Sequence, residues 1–110
     1  MELPIGNNAV IEMEDKYSVP TYAKWKAAFI RGQGARIWDA NGNEFLDMYG
    51  GHCVTLTGHC HPYWVKAVSS QLEKLVFYSN VAYNDQRALF QKRLAGFAPS
   101  HLSKVFLCNS

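Results

Sequence analysis

No stretch of this sequence holds more than a few apolar residues in a row. A membrane-crossing helix needs about 20, so a transmembrane helix is excluded. The opening residues, MELPIGNNAVIEMEDKY, carry an acid at position 2 and no apolar core, and they do not read as a signal peptide. Charge of one sign is also lacking. The formal net charge is only +2, and the basic residues are scattered among the acids without a run. That argues against nucleic acid or an anionic membrane as the main partner. Cysteine is scarce and odd in number: the three thiols cannot close a disulfide framework. Cys53, Cys60 and Cys108 therefore read as reduced thiols in a cytoplasmic protein. What is present is globular, with 48% apolar and 18% charged residues in 110, enough for one ordinary domain.

Local patterns divide the chain into elements. Residues 8–17 read as a short helix, which Pro20 prevents from extending. Apolar and aromatic residues flank the turn signals at Gly32, Gly34 and Asn41-Gly42, which predicts a three-stranded antiparallel meander near 26–31, 35–39 and 44–49. Such a meander has one apolar face that needs a cover. A glycine-rich loop follows. His61 then reads as a helix cap and Pro62 as the first helical residue, where its missing N–H costs nothing. Trp64, Ala67, Val68, Leu72, Leu75 and Val76 form a stripe at helical spacing through residue 77, broken by Gln71. Asn84 or Asp85 caps a second long helix that ends near Gly96 and Pro99. The run at 104–108 reads as a strand buried on both faces. One meander and two helices cannot cover it, so the sequence is expected to be a piece cut from a larger fold.

Several clusters invite chemistry. His52, Cys53, His59, Cys60 and His61 suggest a small zinc-dependent binding module, but adjacent ligands diverge, and the spacing is not that of paired zinc ligands. The simpler reading makes residues 58–59 a tight turn, His61 a cap and the two thiols packing groups. A Cys–His nucleophile lacks an orienting acid nearby in sequence. The Gly32-Gln33-Gly34 step is too short for a dinucleotide loop and reads as a β-turn. Ser79, Asn80, Tyr83 and Asn84 form a polar loop able to meet a carboxylate or phosphate, or simply a solvated loop with a helix cap. Ser110, after the predicted strand, stands where α/β sheets place ligands.

In order, GQGARIWDANGNEFLDMYGG, GHCHPYWVKAVSSQLEKL, YSNVAYN and VFLCNS resemble the N-terminal portion of class III pyridoxal-phosphate aminotransferases, most closely the acetylornithine and succinylornithine members. The resemblance runs from about Tyr22 onward and covers about a quarter of a family member. It implies an α/β, fold-type-I architecture, with residues 1–75 on the small-domain side and 76–110 leading into the large cofactor-binding domain. It implies pyridoxal 5'-phosphate as cofactor. It further implies an amino donor, N-acetylornithine or N-succinylornithine, with 2-oxoglutarate as acceptor, in arginine biosynthesis. Ornithine, 4-aminobutyrate or a lysine-pathway intermediate is the alternative donor. A homodimer is expected, with active sites at the subunit interface. Ser110 matches a serine that contacts the cofactor phosphate. Ser79 and Asn80 match a loop near the substrate carboxylate or the neighbouring subunit, and Gly50 and Gly51 match a loop that approaches the substrate. None of the seven lysines lies in a motif matching the family's Schiff-base lysine. The chain alone is therefore expected to be inactive.

Overall fold

The computed structural model describes residues 5–109. It contains helix α1 (Asn7–Tyr17), strands β1 (Phe29–Gln33), β2 (Arg36–Asp39) and β3 (Glu44–Leu46), a one-turn element α2 (Gly50–Cys53), and helices α3 (Pro62–Leu72) and α4 (Asp85–Phe97). The described residues form two units, one ending at Ser70 and the other starting at Gln71.

In the first unit the three strands pair in the order β1-β2-β3, both pairs antiparallel. The register shifts between Phe29 and Arg31, which marks a bulge at the entry to β1. Across β1 and β2, Arg31 lies over the Trp38 ring at 3.7 Å, and Phe29 of β1 meets Phe45 of β3 edge to face at 5.5 Å. Both geometries suit the ring quadrupole. The predicted two-residue Asn41-Gly42 hairpin needs correction. Gly42 adopts φ +86°, but Asn41 does not join it at positive φ. The Asp39 carboxylate accepts from the Asn41 and Asn43 amides at 3.0 and 2.8 Å, so the side chain organises a wider loop.

The centre of this unit is polar. Asp39 is 2% exposed and Asn7 8%, and among the described residues Ala28 is the one buried apolar side chain. The Asn7 amide nitrogen donates to Asp39 Oδ2 at 2.8 Å, and its oxygen accepts from the Ala28 and Ala40 amides at 3.1 and 3.2 Å. The Asn7 backbone N–H donates to Asn41 Oδ1 at 2.9 Å. Through these four bonds the first residue of α1 ties the helix to Ala28 before β1 and to β2 and its loop.

In the second unit, the Asn84 side chain accepts from the Arg87 amide at 2.9 Å and caps α4, as its sequence position predicts. The predicted strand at 104–108 does not form. Residues 102–109 lie outside any helix or strand, and Phe106 and Leu107 are exposed. A strand exists only through a ladder with a neighbour. Here the Val105 carbonyl is instead taken by the Gln91 side chain at 3.1 Å. Helix α3 likewise stops at Leu72, short of the predicted residue 77. The Gln71 carbonyl accepts from both the Lys74 and Leu75 amides at 3.0 Å, which turns the chain there. Its stripe residues Trp64, Val68, Leu72, Leu75 and Val76 are all exposed.

Exposed apolar surface on this scale drives association. The purified chain is expected to self-associate as its concentration rises, measured by sedimentation velocity. A monomer with a sharp, concentration-independent melt would contradict this.

Candidate functional site

The loop after β3 is built around Asp47. One carboxylate oxygen accepts from the Tyr49 and Gly50 amides at 3.0 and 2.8 Å. The other lies 2.6 Å from His59 Nε2. His59 is in turn fixed to the meander. Its amide donates to the Gly34 carbonyl at 2.8 Å, and its carbonyl accepts from the Gly34 amide at 2.9 Å. The ring lies against Gly32, where an added Cβ would sit 2.6 Å from His59 Cγ. Gly34 itself has φ +57° and passes within 3.0 Å of where a Gly58 Cβ would be. The Gly-x-Gly and Gly-His steps are thus halves of one contact. Each glycine serves close approach or backbone sign.

The turn that Asp47 introduces is left-handed. Gly50, Gly51, His52 and Cys53 have φ values of +58°, +56°, +59° and +59°. For His52 and Cys53 this conformation costs roughly 1–2 kcal/mol each, so surrounding contacts must hold it. A Cβ at Gly50 or Gly51 would meet nothing within 4 Å. Those two glycines are required by backbone conformation, not by crowding. The turn sets the His52 ring beside Tyr49, with Nδ1 2.7 Å from the phenol oxygen. Trp25 packs edge to face on Tyr49 at 5.7 Å. Tyr49, His52 and Trp25 form one wall of a cleft of about 650 Å³, which α1 and residues 22–29 complete.

Both carboxyls lie below the ordinary carboxylate range. For Asp39, burial pushes the carboxyl up, and the bonds from the Asn43 and Asn7 side chains and the loop amides more than offset it. For Asp47 the His59 hydrogen bond leads, followed by the Gly50 and Tyr49 amides, with burial opposing. Depressed folded values mean that the stability contributed is complete above the unfolded carboxylate value and lost as pH falls through the folded one. The first unit is expected to hold a constant urea midpoint from neutrality to about pH 5 and to weaken below about pH 4. A midpoint unchanged at pH 3 would contradict this.

The residues singled out in the sequence fall into separate groups. Gly50 and Gly51 share the left-handed turn. Ser79 and Asn80 share the loop before α4, where Arg87 donates to Asn80 Oδ1 at 2.6 Å and also to the Ala82 carbonyl. Ser110 lies outside the described residues. The zinc set is not assembled: among the described residues no group of three or more His, Cys, Asp or Glu could hold a metal ion. His59 is engaged by Asp47 and His52 by Tyr49. Sequence reasoning missed Asp47 and its pairing with His59. The double glycine at 50–51 was the available signal for an unusual backbone sign.

A family model described as aminotransferase class-III matches residues 17–110. The chain belongs to the class-III aminotransferases. It is 46% identical over 99 residues to the acetylornithine aminotransferase of Methanopyrus kandleri, covering 90% of this chain and 25% of that protein. It is 44% identical over 97 residues to the [LysW]-aminoadipate semialdehyde transaminase of Deinococcus radiodurans, covering 88% of this chain and 23% of that protein. Among solved structures, the N-acetylornithine aminotransferase of Stenotrophomonas maltophilia superposes with a TM-score of 0.74 at 36% identity, covering 91% of this chain and 26% of that one. The chain thus spans about a quarter of the length of the relatives it matches.

Class-III aminotransferases depend on pyridoxal phosphate. The described residues of this class-III chain do not by themselves fit a complete site for it. All seven lysines are exposed, whereas a lysine that holds the cofactor aldehyde is activated by desolvation or by a neighbouring charge. The described segment before Ser110 makes no strand-to-helix turn whose free amides would grip a phosphate.

Proposed function

We propose that the protein carrying this sequence transfers an amino group from N-acetylornithine or N-succinylornithine to 2-oxoglutarate, in arginine biosynthesis. The observation that carries the reading is the 46% identity to an acetylornithine aminotransferase across nine-tenths of this chain. In the family the cofactor supplies an aldehyde for the amino group and a ring that withdraws electrons. This chain's contribution is the substrate-side framework. Residues 1–75 belong to the small-domain side, and residues 76–110 lead toward the large domain. Gly50 and Gly51 present backbone to the substrate without a side chain in the way. Ser79 and Asn80 offer donors to its carboxylate or to the neighbouring subunit's site, and Ser110 meets the cofactor phosphate. The same reading expects a homodimer in the cytoplasm. A second reading, in which a semialdehyde of the aminoadipate type accepts the amino group, is favoured by the nearly equal 44% identity to the Deinococcus transaminase.

A chimaera tests the choice. This chain replaces the matching quarter of the Methanopyrus enzyme, and pyridoxal phosphate loading reports that the product has folded. Turnover is then compared for N-acetylornithine, N-succinylornithine, ornithine and 4-aminobutyrate. Preference for the acylated donors is expected. Preference for free ornithine or 4-aminobutyrate would overturn the acylornithine reading.

A further inference from the structure

The left-handed turn Gly50–Cys53 places two residues with side chains at positive φ, and something in its surroundings must hold them there. Asp47 occupies the position to do so. Its side chain is 9% exposed, and both oxygens are engaged, one by the first amides of the turn and the other by His59. His59 is itself clamped to Gly34 by two backbone hydrogen bonds, at 2.8 and 2.9 Å. An unbroken path thus runs from the β1–β2 connection through His59 and Asp47 to the amides of Tyr49 and Gly50.

We propose that Asp47 and His59 are positioning residues that lock the Gly50–Cys53 turn in its left-handed form and so hold His52 against Tyr49 in the cleft wall. The pair acts as a brace. Asp47 accepts from the amides that enter the turn, and His59 stops the carboxylate from swinging away. Without the brace, His52 and Cys53 relax toward ordinary negative φ, and the His52 imidazole leaves Tyr49. The inference concerns the chain's own conformation and stands whichever amino donor the protein uses.

Hydrogen exchange read by mass spectrometry tests it, because the turn has its own reporters. The Cys53 amide donates to the Tyr49 carbonyl at 3.1 Å, and the Val54 and Thr55 amides to the Gly50 carbonyl at 3.0 Å. In Asp47→Ala and His59→Ala, protection of peptides covering residues 49–55 is expected to be lost while peptides covering β1 and β2 keep theirs. The conservative His59→Gln, whose amide N–H can still donate to Asp47, is expected to restore protection to the turn. Unchanged protection at 49–55 in Asp47→Ala would overturn the proposal. So would simultaneous loss in the turn and the strands in both Asp47→Ala and His59→Gln, because the pair would then hold the whole sheet and not the turn. Failure of glutamine to rescue while the strands stay protected would remove His59 from the brace.

Discussion

Replacing Asn7 by alanine is expected to release α1 from the meander. The substitution removes the acceptor of the Ala28 amide and one donor to Asp39 Oδ2. The Ala40 amide keeps its bond to the Ala28 carbonyl at 2.8 Å and is spared. An orphaned buried amide costs about 1–3 kcal/mol, and the lost contact to a buried carboxylate adds to it. Asn7→Asp keeps the shape and an acceptor for Ala28, but it sets a second carboxylate where an amide now donates to Asp39. It is expected to destabilise as well, through like-charge repulsion in a poorly solvated site. Chemical denaturation followed by circular dichroism measures both. Wild-type midpoints for both variants would mean that the polar centre does not hold the helix. The expectation is sharp because the unit has so little else: its buried apolar content among the described residues is Ala28.

The second large effect is expected at Gly32. A methyl group there would stand 2.6 Å from His59 Cγ and 2.7 Å from His59 Cβ. Those atoms sit close to the backbone, and the Gly34 bridge fixes that backbone. The ring cannot swing aside without leaving Asp47. Gly32→Ala is expected to cost about 1–3 kcal/mol, typical of overpacking. Trimming the opposing ring removes the clash, so the cost of Gly32→Ala in a His59→Ala background is expected to fall well below its cost in the wild type. Simple additivity of the two substitutions would contradict the contact. Gly34 offers a contrast. Its added Cβ meets nothing within 4 Å, and its constraint is the sign of φ. Asparagine, which tolerates that region, is expected to be milder than alanine at Gly34 but not at Gly32.

Features that depend on neighbours in sequence were legible from the sequence. Asn84 caps α4, and Pro62 opens α3 with the His61 carbonyl accepting from the Val65 amide at 3.0 Å. The turn signals placed the meander, though β1 begins three residues later and β3 ends three residues earlier than predicted. What depends on distant partners was not legible. Asn7 and Asp39 lie 32 residues apart, and no periodicity announces a polar pair at the centre of a fold. His59 read as part of a tight turn, yet its ring serves Asp47, 12 residues earlier. The left-handed run was half visible in Gly50-Gly51 and hidden in His52 and Cys53, since positive φ is uncommon outside glycine. At 104–108 the apolar run predicted a strand that does not form, because composition cannot supply the neighbouring strand that would make it one. The family resemblance succeeded where single motifs did not, because it used the order and spacing of four segments together.

The sequence names the glycines and the polar loop as candidates but does not show what positions them. Arg87 shows this. Nothing in its helical context points backward, yet it staples the Asn80 loop to α4 through the Asn80 side-chain oxygen and the Ala82 carbonyl.

The most direct measurement is amino transfer by the 110-residue chain alone, supplied with pyridoxal phosphate, N-acetylornithine and 2-oxoglutarate. A chain whose seven lysines are all exposed and which spans a quarter of its relatives is expected to form no glutamate above a control without protein. Catalytic formation of glutamate, many turnovers per chain, would show a complete active site within these residues and contradict the substrate-side role assigned to them.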